Sequence, residues 1–155
     1  MLRKMIFGLV AAVVIPSAAA AQANKAIEDE VIRLTKAAWA GNMEKNTAAS
    51  VASLADDYTE FNGDYATRIE GKALNQRLYE GDSKDSGKLL AAEMLNPKVQ
   101  VYGNTAILTY NYAGISQDKD GKTTPSRAKS TRVYVKDGNM WKLVHANFAP
   151  DPLPQ

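Results

Sequence analysis

The amino-acid sequence predicts an α+β fold in which helices come first and an antiparallel sheet follows. Ile27, Val31 and Leu34 recur at the spacing of one helical face, which indicates an amphipathic first helix. The second half of the chain consists of runs in which apolar and polar residues alternate, as they do in half-buried strands. Asp137-Gly138 joins the last two runs, and Asp-Gly is a strong hairpin signal because glycine accepts positive φ. Helices before a meander of strands are typical of α+β domains.

Three helices are expected in the first half of the chain. The first spans residues 24–40, and a second, weakened by its Thr and Ser content, spans residues 43–55. A short strand at residues 58–61 precedes the third helix at residues 72–80. Residues 81–87 are rich in Asp, Ser, Lys and Gly, and this composition predicts an exposed loop.

The sheet is expected to form from residue 98 onward. An apolar run at residues 89–95 fits either a helix or a strand and is broken at Asn96-Pro97. The predicted strands cover residues 98–102, 105–116 and 126–136, with a last strand that runs from the Asp-Gly turn to residue 148. Residues 149–154 contain three prolines, so we expect them to leave the ladder and fray.

The first residues resemble a secretory signal peptide. Arg3 and Lys4 form a charged start, an apolar stretch follows, and Ala21-Gln22-Ala23 is an A-x-A cleavage site. We therefore expect cleavage after Ala23, a single domain at residues 24–150, a tail at residues 151–155, and export to the periplasm or the medium. An uncleaved N-terminal anchor is the alternative.

Composition excludes several classes of function. The chain has 19 basic and 17 acidic residues, and the predicted cleavage removes two of the basic ones, so no basic patch points to nucleic acid or a membrane as partner. The chain has no cysteine and one histidine, His145, so we expect no metal site and no cofactor.

The strands carry apolar residues on both faces. Ile107 alternates with Leu108, and Leu143 alternates with Val144, so neither face of the sheet is wholly polar. Helices can cover one apolar face, and a second subunit would cover the other. The sequence therefore predicts a homo-oligomer, a dimer or larger.

Motifs spread over the domain resemble a known family. The matching residues are Ile69-Glu70-Gly71, Leu95-Asn96-Pro97, Val99, Val101-Tyr102-Gly103, Asp120-Gly121, Thr131-Arg132-Val133-Tyr134, Asp137-Gly138, Trp141, Val144-His145 and Ala149-Pro150. In this order they resemble the nuclear transport factor 2-like (SnoaL-like) superfamily, and within it the association (hub) domain of calcium/calmodulin-dependent protein kinase II. The resemblance implies a cone-shaped α+β barrel, in which three N-terminal helices pack on a curved antiparallel sheet. It also implies a non-catalytic domain that assembles subunits.

The same resemblance implies a central cavity that is lined partly by arginines and takes small carboxylates. Arg132 is the counterpart of one of those arginines, whereas Tyr112 and Phe148 occupy the positions of others. We therefore expect a ligand site with Arg132 as the charged contact and Tyr58, Tyr110, Tyr112 and Phe148 as walls. The aromatic residues fit core or interface positions equally well, and Arg132 could instead form a salt bridge with a glutamate at position 60, 70 or 93.

The last strand constrains which side chains face the cone. Strict alternation places Trp141 and His145 on one face and Val144 and Phe148 on the other, and we expect Phe148 to point into the cone. With no cysteine or second histidine beside it, His145 fits a structural role better than that of a general base.

An enzyme is the main alternative function, as an isomerase, cyclase or dehydratase of the ketosteroid-isomerase type. That chemistry needs a carboxylate base in the cone, where this chain has Asn62. Glu60 or Asp64 could replace it only after a shift of strand register, and His145 is the other candidate base. A pure assembly module, whose cone is filled by its own side chains, is the third alternative.

Overall fold

Residues 18–85 and 87–151 are described in the computed structural model of the chain. Most of the predicted signal peptide and the end of the tail lie outside these residues. The elements are α1 (Ala18–Met43), α2 (Thr47–Ser50), β1 (Leu54–Asn62), β2 (Ile69–Glu70), α3 (Lys72–Asp85), β3 (Lys88–Tyr102), β4 (Thr105–Gln117), β5 (Thr123–Asp137) and β6 (Met140–Pro150). Within the described ranges, no helix combines the length and apolar character needed to span a membrane.

The six strands form one sheet in the order β2-β1-β6-β5-β4-β3. Neighbouring strands are antiparallel except β1 and β6, which run parallel. The sheet curves but does not close, so it has β2 and β3 as its edges. The α+β fold with helices on a curved sheet is confirmed, and the predicted barrel is an open cone.

The core lies between α1 and the concave side of the sheet, called here the inner face. Val31 and Thr35 of α1 are fully buried there, as are Leu108 of β4 and Tyr134 of β5. The hydroxyl groups of Thr35 and Tyr134 lie 2.8 Å apart and hydrogen-bond to each other, which satisfies both polar groups inside the core. Helix α1 is thereby fixed against the middle of the sheet.

The β5–β6 hairpin turns where the sequence predicts, with Gly138 at φ 57°. A bulge then changes the alternation of β6, because His145 pairs with Val133, Leu143 pairs with Tyr134, and Val144 is the extra residue. Trp141 and Phe148 consequently both pack against the core. Their predicted placement on opposite faces is wrong, since one extra residue shifts the period of two.

Several predicted boundaries differ from the structure. Helix α2 is one turn long instead of spanning residues 43–55, and β1 already begins at Leu54. Helix α3 continues to Asp85 through most of the predicted loop, and the Gln76 side chain donates to Glu80 one turn further on. Strand β3 is continuous from Lys88, with a bulge at Asn96-Pro97 instead of a break.

The predicted fraying of residues 149 and 150 is also wrong. Ala149 pairs with Lys129 and Pro150 with Ala128, so β6 remains in the sheet to its last residue. Proline is tolerated there because the end of a strand does not need another N–H donor.

Candidate functional site

A cavity of about 460 Å³ lies between the helices and the inner face of the sheet. This volume is within the range of sites that bind small molecules. All five predicted site residues line it: Tyr58, Tyr110, Tyr112, Arg132 and Phe148. Trp39 of α1 adds a further aromatic wall, with its ring edge-to-face against Tyr110 at 5.7 Å and Tyr112 at 5.4 Å.

Arg132 is the buried cation of this cavity, and the exposed Arg127 also contributes to the lining. Its side chain is 9% exposed, its Nε donates to the Tyr110 hydroxyl at 2.9 Å, and its guanidinium carbon lies 5.1 Å from the centre of the Phe148 ring. Among the described residues, no carboxylate forms an ion pair with it. The predicted internal salt bridge is therefore absent from the described residues, and Glu70 pairs with Arg68 instead.

Glu60 places a carboxylate in the same cavity, where it is 5% exposed. It accepts hydrogen bonds from the Tyr58 hydroxyl at 2.6 Å, from Asn62 Nδ2 at 3.1 Å and from Asn75 Nδ2 at 3.3 Å. The Asn75 Oδ1 atom is buried and has no hydrogen-bond partner in the described structure. The cavity thus holds one buried guanidinium and one buried carboxylate, each fixed by neutral donors or acceptors, whereas Arg127 and Asp64 are exposed residues of its lining.

The prediction that Glu60 enters the cone only after a register shift is wrong. Tyr58, Glu60 and Asn62 alternate along β1, and all three line the cavity. The signal was present in the sequence, because placing Tyr58 in the site also places Glu60 on the same face of the strand.

Tyr58 is held as a neutral donor. Burial raises the pKa of its phenol above the ordinary 10.0, and the charge and hydrogen bond of Glu60 raise that pKa further. The Tyr58 hydroxyl thus remains available to donate to a carboxylate at all physiological pH values.

This raised pKa predicts a loss of stability in alkali. The folded chain keeps the Tyr58 proton at pH values where the unfolded chain releases it, so this contribution is complete below pH 10.0 and falls as the pH rises beyond it. We expect the free energy of unfolding, measured by urea denaturation, to fall less steeply above that pH in Tyr58→Phe. Tyr102→Phe is the control, since Tyr102 is 61% exposed. Equal slopes in all three proteins would contradict the assignment.

His145 lies on the convex side of the sheet, called here the outer face. Its Nδ1 lies 2.8 Å from the Thr59 hydroxyl, and its ring contacts Phe61 edge-to-face at 6.0 Å. It is not among the residues that line the cavity, so its candidacy as the base of a cone enzyme is wrong. In the described part of the chain, no group of three or more histidine, cysteine, aspartate or glutamate residues is arranged to bind a metal.

The chain is similar to known proteins in sequence and in fold. The profile of the family Calcium/calmodulin dependent protein kinase II association domain matches residues 27–152. The association domain of C. elegans calcium/calmodulin-dependent protein kinase II is 20% identical, with a TM-score of 0.68 over 83% of this chain and 98% of that one. These findings confirm the resemblance predicted from the sequence.

Two further solved structures are similar to the chain in fold. A nuclear transport factor 2-like protein from Salmonella enterica is 14% identical, with a TM-score of 0.73 over 84% of this chain and 95% of that one. A candidate ketosteroid isomerase from Parabacteroides distasonis is 25% identical, with a TM-score of 0.65 over 78% of this chain and 85% of that one. No curated protein matches the sequence significantly.

Proposed function

The chain belongs to the family of calcium/calmodulin-dependent protein kinase II association domains, and from that membership we propose that it is a non-catalytic, oligomerising domain whose cone cavity binds a small carboxylate. The leader predicted from the sequence makes it an exported protein, working in the periplasm or the medium. The cavity volume of about 460 Å³ favours a ligand over a cone filled by its own side chains.

The observation that carries the proposal is Arg132. A guanidinium this deeply buried needs an anion or a full set of acceptors to offset its lost hydration. Its Nε donates to the Tyr110 hydroxyl and its side chain also hydrogen-bonds to Tyr134, but no carboxylate of the described chain pairs with it. A ligand carboxylate would supply the missing bidentate partner.

The outer face of the sheet supports the oligomer. Ile107 and Val133 pair across β4 and β5 at its centre, and His145 follows on β6. Phe61 of β1 extends this surface and is 50% exposed. An apolar sheet face of this kind is suited to a second copy of the chain.

Native mass spectrometry of the protein purified from the periplasm or medium tests both parts of the proposal. We expect a mass above that of one chain, together with a retained small molecule that dissociates on mild activation. A single subunit would overturn the oligomer. A ligand-free protein that also fails to take up added butanoate would overturn the binding site.

Acid–base catalysis is the second candidate, and Glu60 is the observation that favours it. Its buried carboxylate lies beside the Tyr58 hydroxyl and the Asn62 amide, so the cavity holds a candidate base with nearby hydrogen-bond donors. The similar protein from P. distasonis is a candidate ketosteroid isomerase. On this proposal Glu60 takes a proton from the carbon next to a carbonyl group and becomes a neutral acid, which frees the Tyr58 hydroxyl or the Asn62 amide to donate to the enolate oxygen.

This candidate predicts catalysed exchange of acidic carbon-bound hydrogen. Cyclohexanone in deuterated buffer serves as the probe, with exchange followed by NMR. Glu60→Gln should lower the exchange rate about 10²- to 10⁴-fold, the usual contribution of a positioned base. Glu93→Gln, at an exposed position on β3, should leave it unchanged. Exchange no faster than in buffer alone would count against an enzyme.

A further inference from the structure

A second cavity of about 530 Å³ adjoins the first, and we call it the vestibule. The two share a rim that includes Asn42, Asn62, Tyr79, Leu89 and Tyr112. Arg132 lines only the inner cavity. The walls found only in the vestibule are mostly polar and of both charges, including Lys45, Lys88, Gln117, Asp118 and Thr124.

Tyr112 lies on this rim in a conformation that depends on Gly114. The two residues are two positions apart and share one face of β4, and the phenol ring lies over the glycine. A Cβ atom at Gly114 would lie 2.6 Å from Cζ of Tyr112 and 2.9 Å from its Cε1, and closer still to the hydroxyl oxygen. Such distances are well below van der Waals contact, so any larger residue at position 114 would displace the ring.

Two contacts hold the ring in place over Gly114. Its hydroxyl hydrogen-bonds to Ser126, the residue that pairs with Gly114 across β4 and β5. The Tyr112 ring also contacts the Trp39 ring edge-to-face, with 5.4 Å between the ring centres and 70° between the ring planes. These contacts fix the ring at the rim that the two cavities share.

We propose that Tyr112 is the gate between the inner cavity and the vestibule, that Gly114 sets its position, and that the site consequently accepts an elongated monocarboxylate. The carboxylate lies at Arg132, the apolar body follows the wall made by Trp39, Tyr110 and Tyr112, and the far end reaches the vestibule. This inference rests on the proposed function, because it takes Arg132 as the carboxylate contact. It adds the class of ligand and the residue that determines its length.

The test compares a short acid with a long one. Isothermal titration calorimetry measures the affinities of butanoate, which fits the inner cavity, and decanoate, which extends past the rim. In the wild-type protein we expect decanoate to bind at least about tenfold more tightly, because part of its longer apolar chain is buried against the aromatic wall. Gly114→Ala turns Tyr112 into the passage, so we expect a loss of about tenfold for decanoate and less than about twofold for butanoate.

Three further variants make the result specific. Gly81→Ala is the matched control, because a Cβ there meets nothing within 4 Å and Gly81 lines neither cavity. Tyr112→Ala in the Gly114→Ala background removes the displaced ring and should recover part of the decanoate binding, since the ring is also lost from the wall. Tyr112→Ala alone should raise the association rate of decanoate about threefold or more over that of butanoate. This last measurement decides the question if circular dichroism shows that Gly114→Ala does not fold.

The outcomes separate the inference from the function it rests on. If neither acid binds, or if both acids bind Arg132→Ala as tightly as they bind the wild-type protein, the proposed carboxylate site is wrong. If butanoate binds through Arg132 but decanoate binds no more tightly, the elongated ligand is wrong and the proposed function stands. Equal effects of Gly114→Ala on the two acids, or no rescue by removal of the Tyr112 ring, overturn the gate.

Discussion

Arg132→Ala is expected to weaken butanoate binding by about ten- to a hundredfold. A hydrogen bond to a charged group contributes about 1.5–3 kcal/mol, which corresponds to this range of affinities. The effect should fall at the upper end because the guanidinium is buried against Phe148 and Tyr110, where water screens the interaction poorly. Isothermal titration calorimetry at fixed ionic strength measures the change.

Two further variants serve as controls, and the first of them separates the paired N–H donors of the guanidinium from its positive charge. Arg132→Lys keeps the charge but loses the paired donors, so we expect an intermediate affinity. Arg77→Ala removes an exposed arginine of α3 that lines no cavity, and should change nothing. If Arg132→Ala binds butanoate within about twofold of the wild-type protein, the carboxylate of the ligand does not contact Arg132.

Val133→Arg is expected to convert the proposed oligomer into single chains. Val133 lies between Ile107 and His145 at the centre of the outer face, where a buried interface would leave the new cation without water or a partner. Leaving a buried charge unpaired costs about 3–5 kcal/mol, and a symmetric interface would incur the cost once from each subunit. Analytical ultracentrifugation at several protein concentrations measures the dissociation constant.

The matched variant places the same charge on another surface. Ala37→Arg lies on an exposed position of α1 and should leave the assembly intact. Circular dichroism must show that Val133→Arg retains its secondary structure, because some dimers have no stable folded monomer. An unchanged dissociation constant for Val133→Arg would show that subunits meet elsewhere.

The sequence predicted the fold well because its strongest signals are local. The Asp137-Gly138 signal predicts a tight turn with positive φ, and the hairpin closes one residue later through Gly138-Asn139, because Asp137 pairs with Met140. Helix α2 was overpredicted because helical propensity competes there with tertiary packing, and the chain extends into β1 from Leu54. The Asn96-Pro97 dipeptide predicts a break in strand β3, whereas the structure accommodates the proline in a bulge with Asn96 at φ 51°.

The site was harder to predict, because its residues depend on the register of two strands. The period of two correctly places Tyr58 and Glu60 together, but it misplaces Trp141 relative to Phe148 because Val144 forms a bulge. No local sequence pattern identifies Val144 as the bulged residue, because the position of the bulge depends on how β6 pairs with β5 and β1. A sequence can thus identify the side chains of a cavity without fixing which of them meet.

The bulge in β3 has a consequence for solubility. Strand β3 is fifteen residues long and forms one edge of the open sheet, so its outward backbone groups could pair with another chain. Pro97 lacks a donor, the positive φ of Asn96 bends the strand, and the charges of Lys88, Glu93 and Lys98 lie along it. Straightening this edge, for example by Pro97→Val with Asn96→Thr, would create a template for fibrous aggregation.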